Sequence, residues 1–448
     1  MRAFTFADVL RRTLEANGYK VRQIINITDV GHLVSDGDEG EDKITKGALR
    51  DGISTEEVIA RYTKAFIEDI HALNIEKANE YPEGFPRATQ HIPEQLALIE
   101  TLEAGGYAYR IADGIYFDTS KFPAYADFAQ LDLEGLRSGA RVTENTAKRN
   151  PSDFALWKFS SQEPIAQRVQ EWDSPWGIGF PGWHIECSAM AMKYLGDTLD
   201  IHTGGIDHIP VHHTNEIAQS ESATGVPFVR YWMHSGFMNI EGEKMSKSLG
   251  NTYRITELTD IIGAPITPLD FRYWLLTAHY RSTINFTKMG VLSAHTAHQR
   301  LREKIGTLDR SSGTLLEDYS ARFFDAVSDD LNTPIALSVV HEMLNDDTRS
   351  SADKYATLMH MDQILGLSLG DIEPSNHQTE KIPQDGYSLI VPFGYIPSDE
   401  VLHLVAQREK ARSEKDWGLA DSYRDTLTKL YLEVSDTPEG PSLHAKAP

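Results

Sequence analysis

Cysteine is nearly absent from this chain, long apolar runs are missing, and positive charge is outnumbered by negative charge. The single thiol, Cys187, cannot form an internal disulfide, so the sequence excludes a disulfide-stabilised secreted fold and predicts a cytoplasmic protein. No run of about eighteen apolar residues occurs, which predicts that no segment spans a membrane. The first residues carry scattered charges without a compact apolar stretch, and this pattern excludes a signal peptide.

Acidic residues exceed basic ones strongly enough to restrict the kinds of partner. The formal net charge is −23, which excludes a protein that coats nucleic acid through a global positive field. A nucleic-acid partner held on a local basic patch stays open, because the field at the docking surface decides whether it binds. A length of 448 residues predicts about three domains.

The first part of the chain mixes helical and strand-like patterns. Apolar spacing predicts a helix over 4–16, a strand over 21–28 and a helix over 54–73 that opens with a Ser-x-x-Glu capping box. The dipeptide Asp113-Gly114, between two short alternating runs, predicts a β-hairpin.

Regular alternation of strand and helix from 153 to 290 is typical of a parallel sheet with helices on its faces. The mostly polar residues 120–152 are interpreted as an insertion. Beyond 290 we expect a helical bundle over 291–370, an irregular linker containing Pro and Gly over 371–397, and a helical pair with a polar tail over 398–448.

Cys187, His212 and Glu216 form the first candidate site. His212 and Glu216 lie four apart in a helical stretch, so both side chains leave the same face. A thiolate, an imidazole and a carboxylate suit zinc, and three protein ligands with one open position are typical of a catalytic zinc. A buried small hydrophobe at Cys187 and an ordinary histidine at His212 explain the same residues, so both interpretations stay open.

The loop GEKMSKSLGN (242–251) is the second candidate site. Its Lys244 and Lys247, with Ser246 and Ser248 beside them and glycines near both ends, suit a loop that wraps a polyphosphate. A solvated turn with ordinary surface lysines is the alternative.

Two weaker signals accompany these sites. In TGGIDHIP (203–210), two glycines after a strand-like run precede Asp207, whose carboxylate suits ribose hydroxyls, although such turns are common. Trp183 lies one helical turn before Cys187 and suits the wall of a small substrate pocket, although an aromatic at that spacing is more often part of a core.

Together these motifs resemble one enzyme family. KMSKS (244–248) resembles the second signature of class I aminoacyl-tRNA synthetases, and PGWHIECSAM (181–190) with GGIDHIPVHHTNEIAQSE (204–221) resembles their cysteine-specific members. The resemblance runs through most of the chain and includes NITDV (26–30) and LADSYRD (419–425).

The resemblance implies a cysteine–tRNA ligase of the α/β class, in which a Rossmann-like parallel-sheet catalytic domain over 1–290 precedes an α-helical C-terminal region. The enzyme would activate L-cysteine with ATP to cysteinyl-adenylate and transfer the cysteinyl group to tRNA(Cys), as a monomer. One Zn²⁺ per chain would bind the substrate thiolate, and Mg²⁺ would accompany ATP.

The same resemblance implies four roles for the candidate residues. They are zinc ligands (Cys187, His212, Glu216), walls of the amino-acid pocket (Thr28, Trp183), contacts on the adenosine side of ATP (Gly205, Asp207), and further ATP-binding residues (Lys244, Met245, Ser246, Lys247, Ser248). Among the last group, Lys244 and Lys247 would stabilise the transferring phosphates.

The chain departs from the family at its first residues. Family members open with a strand that carries a further zinc-ligating cysteine and then a HIGH-like ATP-binding motif, whereas this sequence opens at MRAFTFADVLRR, which resembles the segment after that motif. An internal methionine taken as the start, or a truncation, explains this departure, and a paralogue that lost the segment is the rival explanation. The first strand is central to a Rossmann sheet, so the departure predicts weak folding and impaired activity for the chain as given.

Two other functions stay open on the sequence alone. A ligase that joins cysteine to an amino sugar would keep the zinc and KMSKS chemistry without tRNA, although the long helical C-terminus favours tRNA. A non-catalytic tRNA-binding paralogue would explain the missing HIGH-like motif, but not the intact set of Cys187, His212 and Glu216.

Overall fold

The computed structural model divides the chain into two compact units. Unit 1 comprises residues 1–256 and 278–286, and unit 2 comprises residues 257–277 and 287–448. The first boundary between them lies earlier than the end of the α/β domain predicted at 290. The structure describes residues 1–30, 43–75, 85–131, 147–160, 170–245, 251, 253–372, 379–384, 387–392, 397–430, 432–437 and 440–445.

Unit 1 contains both helices and strands. Its helices are α1 (Arg2–Ala16), α2 (Lys43–Asp51), α3 (Thr55–Ala72), α4 (Ile92–Ala104), α5 (Trp183–Leu195) and α6 (Thr214–Thr224). Its strands are β1 (Ala108–Ile111), β2 (Gly114–Phe117), β3 (Phe154–Phe159), β4 (Gly179–Pro181), β5 (Leu199–Gly205), β6 (Val229–Ser235), β7 (Met238–Ile240), β8 (Glu243–Lys244) and β9 (Ile284–Phe286).

Local signals in the sequence correctly predicted two features of this unit. The capping box at the start of α3 is present: Glu57 N donates to Ser54 Oγ at 3.1 Å, and Ser54 N donates to Glu57 Oε2 at 2.8 Å. The predicted hairpin is also present, but Ile111 pairs with Gly114, so its turn lies one residue earlier than the Asp113-Gly114 dipeptide suggested.

Parallel strand pairs in unit 1 confirm the predicted α/β class. Strand β5 pairs with β6 in parallel, and β7 pairs in parallel with β9, while β1 to β4 form an antiparallel sheet. The strand predicted over 21–28 is wrong, because its pairing within the described residues is an isolated bridge between Ile27 and Arg87. A strand needs a ladder of paired residues, and alternating apolar residues alone do not supply the neighbour.

One apolar core positions the elements that carry the candidate site. It packs α4 and one face each of α5 and α6 against β2 and β3. On α5, Ile185 and Ala189 face this core one turn apart, so Cys187 between them leaves the opposite side of the helix. Ala218 likewise faces the core from α6, and Glu216 lies two residues before it.

Asp153 joins the two described ends of the predicted insertion over 120–152. Its buried carboxylate accepts from Thr119 N at 2.8 Å and from Asn150 N at 2.9 Å, on either side of residues 132–146, which lie outside the described residues. Two backbone donors on one carboxylate fix where this segment leaves and rejoins the antiparallel sheet.

Unit 2 is helical over most of its length, as predicted. Its helices are α7 (Leu258–Ile262), α8 (Pro268–Leu276), α9 (Lys288–Gly306), α10 (Glu317–Ser328), α11 (Thr333–Asn345), α12 (Ser351–Leu365), α13 (Asp399–Ser413) and α14 (Trp417–Lys429). In the described parts of both units, every helix is too short or too polar to cross a membrane.

The irregular linker over 371–397 and the polar tail after 430 are corrected by the structure. They contain strands β10 (Thr379–Gln384), β11 (Tyr387–Pro392), β12 (Leu432–Thr437) and β13 (Gly440–Ala445), which form one sheet in the order β10-β11-β13-β12. The sheet buries its apolar side chains against α13 and α14. The pairing of β11 with β13 joins Ile390 to Ser442, and no local pattern specifies a partner so distant in sequence.

Candidate metal and active site

The three predicted metal ligands lie together in unit 1. Cys187 projects from α5, Glu216 from α6, and His212 from a short π-helical turn, Ile209–His213, that leads into α6. One ligand atom from each residue lies within 4.8 Å of the other two. The fold therefore brings together the three residues predicted as metal ligands, and their binding of a metal stays a prediction.

Two adjacent histidines lie near the same carboxylate. Glu216 Oε2 lies 3.7 Å from His212 Nε2 and 3.9 Å from His213 Nε2. The two histidines precede Glu216 by four and three residues, and helical geometry places residues at both spacings on one face. The π-helical turn that contains them is of a kind that often occurs at functional sites.

Glu216 is a buried carboxylate with spare capacity to bind. Its Oε2 accepts from His202 Nε2 at 3.1 Å, whereas its Oε1 is buried without a hydrogen-bond partner in the described structure. Burial opposes ionisation, but the polar environment of the surrounding histidines and the hydrogen bond from His202 outweigh it and lower the pKa of Glu216. A buried, ionised oxygen without a donor fits a ligand of a cation.

Burial affects the protonation of both Cys187 and His212. It keeps the Cys187 thiol protonated until a cation binds, and it keeps the His212 imidazole neutral, as a metal ligand must be. Burial, with Glu216 and Glu186 nearby, raises the pKa of Cys187 well above its usual value, and Asn26 Nδ2 donates to its Sγ at 3.5 Å. Burial lowers the pKa of His212 to about 3, so its imidazole is neutral and free to ligate at pH 7. A divalent cation favours the thiolate outright, so this donor set fits zinc.

A second possible ligand set overlaps the first. His202, His213 and Glu216 also bring one ligand atom each within 4.8 Å of one another. Both sets need Glu216, so they compete for the same carboxylate. The set that contains Cys187 supplies a sulfur ligand. Sulfur suits zinc better than it suits divalent metals such as magnesium, which favour oxygen ligands.

Trp183 lies against the cluster, as a pocket wall would. Its ring centroid is 4.4 Å from that of His212, and His184 Nδ1 lies 3.0 Å from His212 Nδ1. Thr28 is exposed and follows the segment in which Asn26 contacts Cys187. The lining of an amino-acid pocket by Thr28 and Trp183 stays a prediction.

The predicted adenosine contacts lie at the carboxyl end of β5. Asp207 is exposed, and its side chain folds over Gly205, because a Cβ on Gly205 would lie 2.2 Å from Asp207 Oδ1. The clash involves only the end of this exposed side chain, so a Cβ at 205 would displace the Asp207 carboxylate and leave the backbone in place. This strand end is where parallel sheets commonly bind nucleotides, but the role of both residues stays a prediction.

Gly204 allows a second close approach, which gives a testable prediction. A Cβ there would lie 2.6 Å from His213 Cε1, and His213 is buried with Nδ1 2.8 Å from His234 Nε2. We expect Gly204→Ala to displace His213 and destabilise unit 1 by about 1–3 kcal/mol, as overpacked cores do. Urea unfolding followed by near-UV circular dichroism measures this. Asp200→Ala, at an exposed position near the start of the same strand, is the control and should change stability by less than about 0.5 kcal/mol.

The predicted phosphate-binding loop is described in part. Lys244 ends β8 with an exposed side chain, and Met245 is half-buried after it. Ser246, Lys247 and Ser248 lie outside the described residues. Binding of ATP by these five residues therefore stays a prediction.

Sequence reasoning missed most of the histidines around this site. Three of the missed histidines, together with the predicted His212, fall in one short stretch, HTGGIDHIPVHH (202–213), and this density was the available signal. The further residues that contact the cluster or its histidines are Asn26, His184, His202, His208, His213, Trp232 and His234.

Comparison with known proteins defines the class of this protein. Residues 1–296 match the family model for tRNA synthetases class I (C) catalytic domain, and residues 322–370 match a DALR domain. A solved methionyl-tRNA synthetase of Mycobacterium tuberculosis, bound by methionyl-adenylate, superposes on this chain with a TM-score of 0.53 at 16% identity. The match covers 83% of this chain and 89% of the chain in that structure. That likeness concerns the fold alone. Fold and family model together define a class I tRNA synthetase.

Closer relatives narrow the class to one amino acid. Cysteine–tRNA ligase 1 of Burkholderia lata is 47% identical over 449 residues, which are 100% of this chain and 89% of the relative. The cysteine–tRNA ligase of Chlorobaculum tepidum is 41% identical over 443 residues, which are 96% of this chain and 87% of the relative. The chain belongs to the cysteine–tRNA ligase family, which confirms the resemblance found in its motifs.

Proposed function

We propose that this chain activates L-cysteine with ATP and transfers the cysteinyl group to tRNA(Cys). In the first step, a carboxylate oxygen of cysteine attacks the α-phosphorus of ATP, and pyrophosphate leaves. In the second, a hydroxyl of the 3′-terminal adenosine of tRNA attacks the activated carbonyl, and AMP leaves. The observation that carries the proposal is the convergence of Cys187, His212 and Glu216 in a chain of this family.

Cys187, His212 and Glu216 would hold one Zn²⁺. When bound, this ion supplies a thiophilic site that distinguishes a cysteine thiolate from a serine hydroxyl. The protein contributes neutral histidine, an ionised buried carboxylate and the half-buried wall of Trp183, which restricts the space beside His212. Such selection suits a side chain too small for apolar pockets to discriminate.

The remaining predicted residues would serve ATP. Gly205 leaves room at the carboxyl end of β5, and Asp207 offers a carboxylate to the ribose hydroxyls. Lys244 and Lys247 would balance charge that develops on the phosphates, with Met245, Ser246 and Ser248 as further ATP contacts and Mg²⁺ bound to the nucleotide. The monomeric state and cytoplasmic location stay predictions.

Cysteine-dependent exchange of pyrophosphate into ATP tests the proposed function. We would assay the chain from Met1 beside a version that carries the family's N-terminal strand and HIGH-like motif ahead of Met1, both with zinc. Exchange by either version, followed by acylation of tRNA(Cys), supports the proposal. Binding of tRNA(Cys) without exchange by either would instead identify a non-catalytic paralogue, and exchange coupled to acylation of an amino sugar would identify the other ligase.

Cobalt substitution distinguishes the two overlapping ligand sets. The chain has one cysteine, so a thiolate-to-cobalt charge-transfer band in the absence of substrate reports Cys187 alone. We expect this band in the parent protein and in His202→Asn, and its loss in Cys187→Ser. A parent protein that binds cobalt without the band would show that the set His202, His213 and Glu216 holds the metal instead.

A further inference from the structure

Arg2, in the first turn of α1, makes a distinctive set of contacts within unit 1. The residue is buried, and no carboxylate in the described part of the chain lies within ion-pair distance of its guanidinium. Five backbone carbonyl oxygens accept its hydrogen bonds instead. Nη1 donates to Gly236 O at 2.8 Å and Phe237 O at 2.7 Å, and Nη2 donates to His279 O at 3.1 Å, Tyr280 O at 3.1 Å and Ser282 O.

These carbonyls belong to two connections that enter the same small sheet. Residues 236–237 lead directly into β7, and residues 279–282 lead into β9, which pairs with β7 in parallel. On its other side, β7 pairs antiparallel with β8, where Asn239 faces Lys244. Arg2 therefore holds the entrance to the sheet whose edge strand carries Lys244.

The two connections lie close together, so several carbonyl oxygens point into the same small space. A shared donor stabilises this arrangement, because carbonyl dipoles of like orientation repel one another. A Cβ on Gly236 would lie 2.6 Å from the carbonyl oxygens of both Arg281 and Ser282. An arginine side chain offers five N–H donors in a planar fork and suits several carbonyls at once, which lysine does not. Burial lowers the pKa of Arg2 to about 10, so the group remains cationic at neutral pH.

We propose that Arg2 is a positioning residue for ATP: by fixing the connections before β7 and β9, it sets the position of Lys244 relative to the nucleotide phosphates. The inference rests on the proposed function, because it assigns Lys244 to ATP. We call the five hydrogen bonds from Arg2 to the two connections the clamp. A displacement of about 1 Å at a group such as Lys244 can lower the rate about 100-fold, so loss of the clamp can have a large effect although Arg2 is remote from ATP.

The position of Phe6 allows this role to be separated from a role in folding. Phe6 lies one turn after Arg2 and stacks on Tyr280, with ring centroids 4.9 Å apart. This contact keeps α1 against residues 279–282 when the guanidinium is removed. An Arg2→Gln variant should therefore fold, with the two connections loosened.

The experiment compares the parent protein with Arg2→Gln and with Arg12→Gln as a matched control. Arg12 lies on the same helix, pairs with Asp8 at 2.8 Å and donates to Asn74 O at 2.7 Å, away from the clamp. Isothermal titration with ATP and hydrogen exchange of residues 236–244 and 278–286 are measured on all three. Where exchange of pyrophosphate is detectable, KM values for ATP and cysteine are compared as well.

We expect Arg2→Gln to weaken ATP binding by about tenfold or more and to lose amide protection over 236–244, because the clamp is broken. The KM for cysteine and the zinc content should stay at parent values. In a fourth protein, Arg2→Ala, which leaves room for a small cation, millimolar guanidinium ion, but not urea, should restore ATP binding. Arg12→Gln should behave as the parent does. Lost protection with unchanged ATP affinity, or no change in either, would overturn the positioning role.

The measurement of ATP affinity also distinguishes a failure of this inference from a failure of the proposed function. A parent protein that binds ATP but exchanges no pyrophosphate contradicts the proposed catalysis and still permits the Arg2 comparison. A uniform fall in ATP affinity, cysteine affinity and melting temperature in Arg2→Gln would indicate general destabilisation and overturn the proposal.

Discussion

Replacement of Glu216 by Gln is expected to remove bound zinc and, with it, cysteine-dependent pyrophosphate exchange. Glu216 is the residue shared by both possible ligand sets, so neither alternative can compensate for its loss. Loss of groups that merely orient a metal ligand weakens binding by about 10–100-fold, so loss of a charged ligand should cost at least about 100-fold in zinc affinity. We expect a fall of similar size in exchange activity.

The Gln variant should still fold, which makes the measurement interpretable. Burial holds the pKa of His212 at about 3 and lowers that of His213 further, so a neutral amide at 216 leaves no buried imidazolium without a counterion. The amide oxygen can still accept from His202 Nε2, which lies 3.1 Å from the parent carboxylate. The substitution therefore removes charge with little change in shape.

Zinc content by elemental analysis and zinc affinity by competition with a chelator check this expectation. Glu221→Gln is the matched control, since Glu221 lies on the same helix and accepts from Phe228 N at 3.0 Å rather than facing the cluster. It should retain parent zinc content. Parent-level zinc affinity in Glu216→Gln would show that the metal is held elsewhere and would contradict the proposed ligand set.

The parts of the fold that local physical rules determine were predicted well. The helix 54–73 was recognised from its capping box, and the structure has α3 at Thr55–Ala72 with both reciprocal hydrogen bonds. The helical pair 398–413 and 416–430 corresponds to α13 and α14 within one residue at each end. Helices depend on residues three and four positions apart, so a single sequence contains most of the required information.

The parts that depend on distant partners were missed. Residues 21–28 have strand-like alternation, yet in the part of the chain that the structure describes their strand pairing is limited to the bridge of Ile27 with Arg87. The neighbour of a strand comes from elsewhere in the chain, and alternation does not specify it. The Pro and Gly residues of 371–397 predict an irregular linker, although the dipeptide Asp385-Gly386 between two runs is a known hairpin signal. Strands β10 and β11 flank that dipeptide. Proline in both strands obscured the pattern.

The candidate site shows the same division. The predicted set of Cys187, His212 and Glu216 was brought together by the fold, because His212 and Glu216 are local neighbours and Cys187 is delivered by α5. The hydrogen bond from His202 to Glu216 could not be predicted. His202 lies on β5, and no local pattern in the sequence says how close β5 comes to α6. Helical spacing places His213, three residues before Glu216, on the same face as His212, but the predicted ligand set did not include it.

In unit 2, one buried carboxylate joins two helices. Asp270 of α8 is fully buried and caps its own helix by accepting from Thr267 N and Thr267 Oγ1, both at 2.8 Å. It also accepts from two histidines of α9, His295 Nδ1 at 2.9 Å and His298 Nδ1 at 2.7 Å. Burial alone would oppose ionisation, but these hydrogen bonds outweigh it and hold the pKa of Asp270 far below its usual value.

Asp270→Ala is therefore expected to destabilise unit 2 by about 3–5 kcal/mol, because it leaves buried donors on two histidines without an acceptor and removes a helix cap. Asp270→Asn keeps the shape and one acceptor oxygen, so we expect a smaller loss of about 1–3 kcal/mol. Hydrogen exchange of residues 268–276 and 288–306 measures the loss locally, without assuming that both units unfold together.

The dependence of this loss on pH identifies its electrostatic origin. The folded pKa of Asp270 is depressed, so its charge contributes stability that is fully present above the unfolded pKa of about 3.9 and is lost as pH falls toward the folded value. The difference between parent and Asp270→Ala should hence be constant from neutral pH to about pH 5 and shrink below about pH 4. Asp347→Ala, an exposed change in the same unit, should alter stability by less than about 0.5 kcal/mol at any of these pH values. A loss that stays equally large in acid would mean that Asp270 acts through packing, and its carboxylate would then not be the link between α8 and α9.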